Sequence, residues 1–230
     1  MHATQQVVAA RRTTLRTRGT LDPLYLLEAV QDRDPRAYQV YIGAVGGSSG
    51  SSGSGTAFLA STPERLYVRS GRLVASEAVA GTRPRGAEGD VEKDFWLSLD
   101  LLNSAKDHNE FTLVRDWIAS SLTPLCSSVS IEVPKSVLKQ GAVQHLYGRL
   151  AAELTAESND AHLLQALHPT PAVCGRPRAQ ALQYLQGEEP FDRGYYSGPI
   201  GWISGAGAEF VVAIRSALVT ETGVSHACRI

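Results

Sequence analysis

Four side chains stand where their neighbours do not call for them. Glu64 follows Pro63 in FLASTPERL, between two apolar stretches; Glu110 closes KDHNE; His145 sits inside VQHLY; Arg215 breaks the apolar run FVVAI. Local context reads Glu64 as a solvated loop residue. Glu110 lies four residues after Lys106, so on a helix the two share a face. They form a surface ion pair, or the glutamate points into a cleft and binds Mg2+, a cation that takes one or two carboxylates plus water and substrate oxygens. His145 reads either as a satisfied core histidine or as a catalyst. In AVAGTRPRG, the small Ala80 and Gly81 allow a ligand close to the backbone. Free N–H groups at such a turn suit a carboxylate or phosphate, and Arg83 and Arg85 add positive potential. The bland reading is a basic surface turn. LHPTPAVCG brackets Thr170 with two prolines, a rigid segment with no evident packing purpose. Glycines 194, 198 and 201 among the aromatics of RGYYSGPIGW suggest close backbone approach within strands.

The elements that must position these groups alternate in type. Residues 5–15 read as a strand, with β-branched Val7 and Val8. A helix starts at Asp22, the N-cap, with Pro23 at its first position. AYQVYIGAV is strand-like, and GGSSGSSGSG, residues 46–55, is a flexible insert too polar to join a core. TAFLAS, RLYVRS and RLVASEAVAG read as antiparallel strands. From Asp90 to about Ser121 the period turns helical through Phe95, Leu99, Leu102, Phe111, Val114, Ile118 and Leu122. SIEVPKSVLK is a strand, with Pro134 marking an edge or a break. Residues 143–154 and 160–167 read as short helices, and AQALQYLQG as another, closed by Gly187. YYSGPIGWI and EFVVAIRSALV return to strand. The expected fold is α+β: antiparallel sheets wrapped by helices, as one domain over residues 1–230.

Composition narrows the function. A net charge of -1 gives no sign of nucleic-acid or membrane-surface binding. No apolar run approaches the roughly 20 residues of a transmembrane helix. Cys126, Cys174 and Cys228 are widely spaced with no C-x-x-C pair, so a zinc site or disulfide framework is not expected, and a reducing compartment is. Residues 1–21 carry no Asp or Glu but four arginines and five threonines, which suits a transit peptide; the strand reading of the same segment is preferred. P-loop, Rossmann, G-x-S-x-G and H-E-x-x-H signatures are absent. Residue chemistry alone thus supports an α+β domain with a carboxylate- or phosphate-binding cleft and possible Mg2+.

Taken in order, STPERL, EAVAGTRPRG, SAKDHNEF, VQHLY, ALHPTPAVCG, FDRGYYSGPIGW and EFVVAIRSALV resemble the chorismate-utilising enzymes. These are the isochorismate, salicylate, anthranilate and aminodeoxychorismate synthases, and the resemblance runs from about Gln6 to Val219. KDHNEFTLVR, VQHLYGRLA and HPTPAVCGRP look most like isochorismate synthases of plants and algae. That resemblance implies a plastid enzyme serving phylloquinone and salicylate synthesis. It implies chorismate as substrate and Mg2+ as cofactor: a nucleophile, water in isochorismate synthases, adds to the ring and the C4 hydroxyl leaves. It assigns Glu64 as general acid, since a carboxyl that loses water beside bound substrate favours its protonated form. Gly81 and Thr82 match the turn that contacts a substrate carboxylate, His145 lines the ring pocket, and Glu110 is a magnesium ligand. Arg215 binds a substrate carboxylate, a task that suits a bidentate, permanently charged guanidinium.

Two departures accompany the match. Where water-using members place a basic lysine, QQVVAARR has Gln6, whose neutral amide cannot take a proton from water. Glutamine there is more typical of the ammonia-using anthranilate branch, while Ala80 argues against the aminodeoxychorismate branch. The family also has a substantial portion before this strand. After AIRSA it has a further strand, and then a helix with a second magnesium-binding Glu and a substrate-binding Lys. VSHACRI is expected to form no such strand, so the domain reads as incomplete at both ends. Three readings follow: a water-using isochorismate synthase, an amine-using relative, or an inactive remnant that retains chorismate binding or serves as an interaction partner.

Overall fold

The computed structural model describes residues 6–43, 56–87, 89–220 and 223–229, so the insert at 46–55 lies outside the described residues. In chain order the elements are β1 (Gln6–Val7), β2 (Ala10–Arg16), α1 (Pro23–Arg33), β3 (Tyr38–Gly43), β4 (Ala57–Thr62), β5 (Arg65–Ser70) and β6 (Leu73–Pro84). Then come α2 (Val91–Asn103), α3 (Ala105–Leu122), β7 (Cys126–Gln140), β8 (Val143–Leu154), α4 (Asp160–Leu167), β9 (Gly175–Arg176) and α5 (Arg178–Glu188). The chain closes with β10 (Pro199–Ile203), β11 (Gly207–Val212), β12 (Ser216–Thr220) and β13 (Gly223–Arg229). The strands pair antiparallel as a six-stranded sheet, β10-β11-β5-β6-β8-β7, a five-stranded sheet, β2-β13-β12-β4-β3, and the short pair β1-β9. The expected α+β class holds.

Local chemistry sets the helix starts. The Asp22 carboxylate accepts from the Leu24 N–H with Pro23 next in line, and Asp90 accepts from the Lys93 N–H. The helical period expected from Asp90 to about Ser121 is carried by two helices. Ser104 ends α2 with extended backbone, ψ 112°, and its hydroxyl caps α3 by accepting from the Asp107 N–H. Helix α3 then turns Phe111, Val114, Ile118 and Leu122 onto the six-stranded sheet. There they meet Leu101, Leu146, Leu150, Leu163 and Leu167 in the main core. Helix α1 covers the other sheet, with Leu26 and Leu27 against Leu59, Val219 and Val224.

Three expectations fail. Residues 143–154 form β8, not a helix. Leu, Ala and Glu favour helix locally, but β8 is paired on both edges, by β6 and β7, and Leu146, Gly148, Leu150, Ala152 and Leu154 alternate into the core. Gly187 does not cap α5, which runs through it to Glu188 and ends as the Glu189 N–H reaches the Leu185 carbonyl. VSHACRI falls largely within a strand: β13 pairs with β12 on one side and β2 on the other. Pro134 sits as expected on an edge strand, β7, flanked by bulges. Of the three glycines, Gly201 fits the strand-contact reading, because a Cβ there would stand 1.9 Å from the Glu209 carbonyl oxygen. Gly194 serves a left-handed turn instead, at φ 54° with open space around it.

The chain passes between the two large sheets at two adjacent places. Pro63 and Glu64 carry it from β4 to β5, and Ala213 to Arg215 carry it from β11 to β12. The crossings are tied together: Val212 N–H donates to the Glu64 carbonyl at 2.9 Å, and Ser61 N–H to the Arg215 carbonyl at 3.2 Å. The Thr62 hydroxyl donates to the Val212 carbonyl at 2.7 Å.

Candidate active site

A cavity of about 190 Å³ opens at these crossings. Pro63 and Glu64 line it from one crossing and Ile214 and Arg215 from the other; Val79 to Thr82, His145, Ala172, Val173, Tyr196 and Val8 complete the wall. Five residues singled out in the sequence, Glu64, Gly81, Thr82, His145 and Arg215, therefore meet in one place. The solvated-loop reading of Glu64 fails: the residue is 7% exposed. Arg215 is not inside a strand either. Its backbone is left-handed, φ 52°, which breaks the apolar run into β11 and β12 and swings the side chain out of the ladder.

Gly81 and Thr82 form a bulge in β6, where pairing with β8 slips between Ala80 and Arg83. Gly81 has φ 66°, and a Cβ there would stand 3.0 Å from the Asp107 Cβ and 3.2 Å from Leu101 Cδ1. Only glycine fits both the conformation and the space. Arg83 and Arg85 do not lend their charge to the cavity. Arg83 is ion-paired to Asp100 at 2.6 Å and Asp107 at 2.9 Å, and Arg85 to Asp94 at 3.2 Å. They tie the bulged strand to α2 and α3.

His145 is buried and also lines the cavity. Its Nε2 stands 2.9 Å from Arg215 Nη2; its Nδ1 stands 3.1 Å from the Gly81 carbonyl oxygen and 3.1 Å from Thr82 Oγ1. A guanidinium only donates, so Nε2 accepts, Nδ1 carries the proton, and the ring is neutral. Burial, and secondarily Arg215, holds its pKa below the usual histidine value, in agreement. Burial also lowers the Arg215 pKa, and the Asp34 carboxylate opposes that. Asp34 Oδ2 is 3.6 Å from Arg215 Nη1. No sequence signal marked Asp34, which ends α1 far along the chain from the residues it faces.

Gln6 and Glu110 are not brought into the cavity wall. Gln6 is half-buried on β1, opposite Arg176, two residues before the lining Val8. Glu110 is half-buried on α3. Among the described residues no three of His, Cys, Asp and Glu gather as a metal-binding group. The described residues do not by themselves make up a magnesium site at the cavity.

A second histidine gives the fold a pH signature. His168, the C-cap of α4, is pushed down to about 4 by burial and then by Arg178. The unfolded chain binds this proton near pH 6.5, whereas the folded chain resists it, so stability is full above about pH 6.5 and falls as pH drops toward 4. The unfolding free energy from urea titration is expected to decline between pH 7.5 and 5, by about 2 kcal/mol for this group. His168→Gln should flatten that decline; an equal decline in the variant contradicts the assignment.

Comparison with known proteins agrees with the motifs. The profile of the chorismate binding enzyme family matches residues 1–226. The chain is 43% identical over 216 residues to isochorismate synthase 2, chloroplastic, of Arabidopsis thaliana, covering 94% of this chain and 37% of that one. It is 41% identical over 214 residues to isochorismate synthase, chloroplastic, of Catharanthus roseus, covering 93% and 35%. Among solved structures it superposes on MenF, the menaquinone-specific isochorismate synthase of Escherichia coli, with TM-score 0.87 and 31% identity, over 97% of this chain and 50% of that one. The chain thus spans between about a third and half of these relatives.

Proposed function

The chain belongs to the chorismate-binding enzyme family, and on that premise we propose that its cavity binds chorismate and supports conversion to isochorismate. The observation that carries the proposal is the convergence of Glu64, Gly81, Thr82, His145 and Arg215 on one cavity. Arg215 holds a ring carboxylate through the N–H groups not engaged by His145. The Gly81–Thr82 bulge brings backbone within reach of the ligand. Glu64, shielded from bulk water, donates a proton to the departing C4 hydroxyl, while water adds to the ring and releases its own proton to a neighbouring water. Mg2+ enters the proposal as the cation the resemblance implies, with Glu110 as the residue assigned to it; no proton transfer is placed on it. Plastid residence is likewise proposed, from the two plant relatives named chloroplastic.

One observation favours a second reading. Gln6 cannot act as a base, and both His145 nitrogens are engaged. Neutral ammonia is a stronger nucleophile than water and can add to the ring without a base to activate it. The test is incubation of the purified chain with chorismate and Mg2+, with and without ammonium, followed by chromatography. Isochorismate is expected without ammonium. Product formed only with ammonium moves the chain to the amine-using branch, and chorismate binding without either product identifies a remnant.

A further inference from the structure

Asp34 is a carboxylate with too few partners for its burial. Its backbone is fixed as the C-cap of α1: its N–H donates to the Val30 carbonyl at 3.1 Å, and its own carbonyl accepts from the Ala37 N–H at 3.1 Å. The side chain, 13% exposed, lies against the β7–β8 turn, where the Cβ position of Gly141 is 3.4 Å from Oδ2. Oδ1 is buried and has no hydrogen-bond partner among the described residues. Oδ2 faces Arg215 Nη1 at 3.6 Å, beyond hydrogen-bond reach. Buried carboxylates are ordinarily well hydrogen-bonded. Among the described residues this one has a long ion pair and no hydrogen bond to Oδ1.

The partner of that ion pair is the cation of the cavity. Arg215 Nη2 is held by the neutral His145, which fixes direction but supplies no charge. Asp34 sets a negative charge against the guanidinium. A ligand carboxylate arriving at Arg215 gains a short, paired contact. It must draw the guanidinium away from Asp34 and remain close to a second negative charge.

We propose that Asp34 sets the affinity threshold for carboxylates at this cavity: it is the resting counter-ion of Arg215, and every carboxylate ligand competes with it. Acids with a single carboxylate and few other anchors are thereby disfavoured, and ligands with further polar contacts in the cavity are selected. The proposal rests on the carboxylate-binding role of Arg215.

Asp34→Asn removes the charge and keeps the shape of the cap. Calorimetric titration with chorismate, and separately with benzoate as a bare carboxylate probe, compares it with the parent chain. Binding is expected to tighten on the order of threefold to tenfold for loss of one nearby like charge. In an Arg215→Gly background the same change should give no gain. Tighter benzoate binding without chorismate binding in either protein keeps the role of Asp34 and removes chorismate as the ligand. Equal or weaker binding of both probes by Asp34→Asn, including binding of neither probe by either protein, overturns the proposal. So does a gain that persists without Arg215.

Discussion

Glu64→Gln is expected to reduce isochorismate formation by about 10²- to 10⁴-fold, the usual contribution of a placed acid. Chorismate affinity should change by only a few-fold. The split follows from geometry. Glu64 is fixed through its backbone: its carbonyl accepts from the Val212 N–H, and its N–H is 3.2 Å from the Thr62 hydroxyl oxygen. The amide has nearly the same shape as the protonated carboxyl and keeps both backbone contacts. The variant retains the crossing and the wall and loses the transferable proton. Turnover equal to the parent, measured by chromatography at saturating chorismate, would remove Glu64 from the acid role.

Arg215→Gly should behave in the opposite way. Loss of a charged hydrogen-bonding group from a carboxylate site costs about 1.5–3 kcal/mol, roughly ten- to a hundredfold in affinity. Stability should change little. A non-glycine residue at φ 52° is strained by roughly 1–2 kcal/mol, and glycine relieves that strain. The relief offsets loss of the ion pair to Asp34. The signature is thus weakened chorismate binding in a chain that melts close to the parent temperature. A collapsed melting temperature would instead make Arg215 a structural residue, and unchanged affinity would remove it from the ligand site.

The parts of this site that were legible in the sequence are those whose residue types are costly where they stand. Arg215 directly after FVVAI and Glu64 after Pro63 are conspicuous because charge between apolar runs needs a reason. The Ala-Gly pair of the bulge was legible for its lack of side chains. The apolar wall was not: Val8, Val79, Ala172, Val173 and Ile214 have the composition of any core, and only tertiary placement distinguishes lining from filling. Arg83 and Arg85 misled, because a basic turn gives no hint that Asp94, Asp100 and Asp107 on two helices are waiting for it. Asp34 looked like an ordinary helix end, since its relation to Arg215 exists only after both sheets form. Segment 143–154 was misread for a related reason. A strand flanked on both edges takes its conformation from its neighbours, and its own Leu- and Ala-rich sequence argues for helix.

The paired crossings also make the cavity a caliper. Glu64 rides on the passage from β4 to β5 and Arg215 on the passage from β11 to β12, and the hydrogen bonds that join the two passages hold the gap between carboxyl and guanidinium. A ligand gripped by both would brace the two passages against each other, on the seam where the chain turns from one sheet into the other.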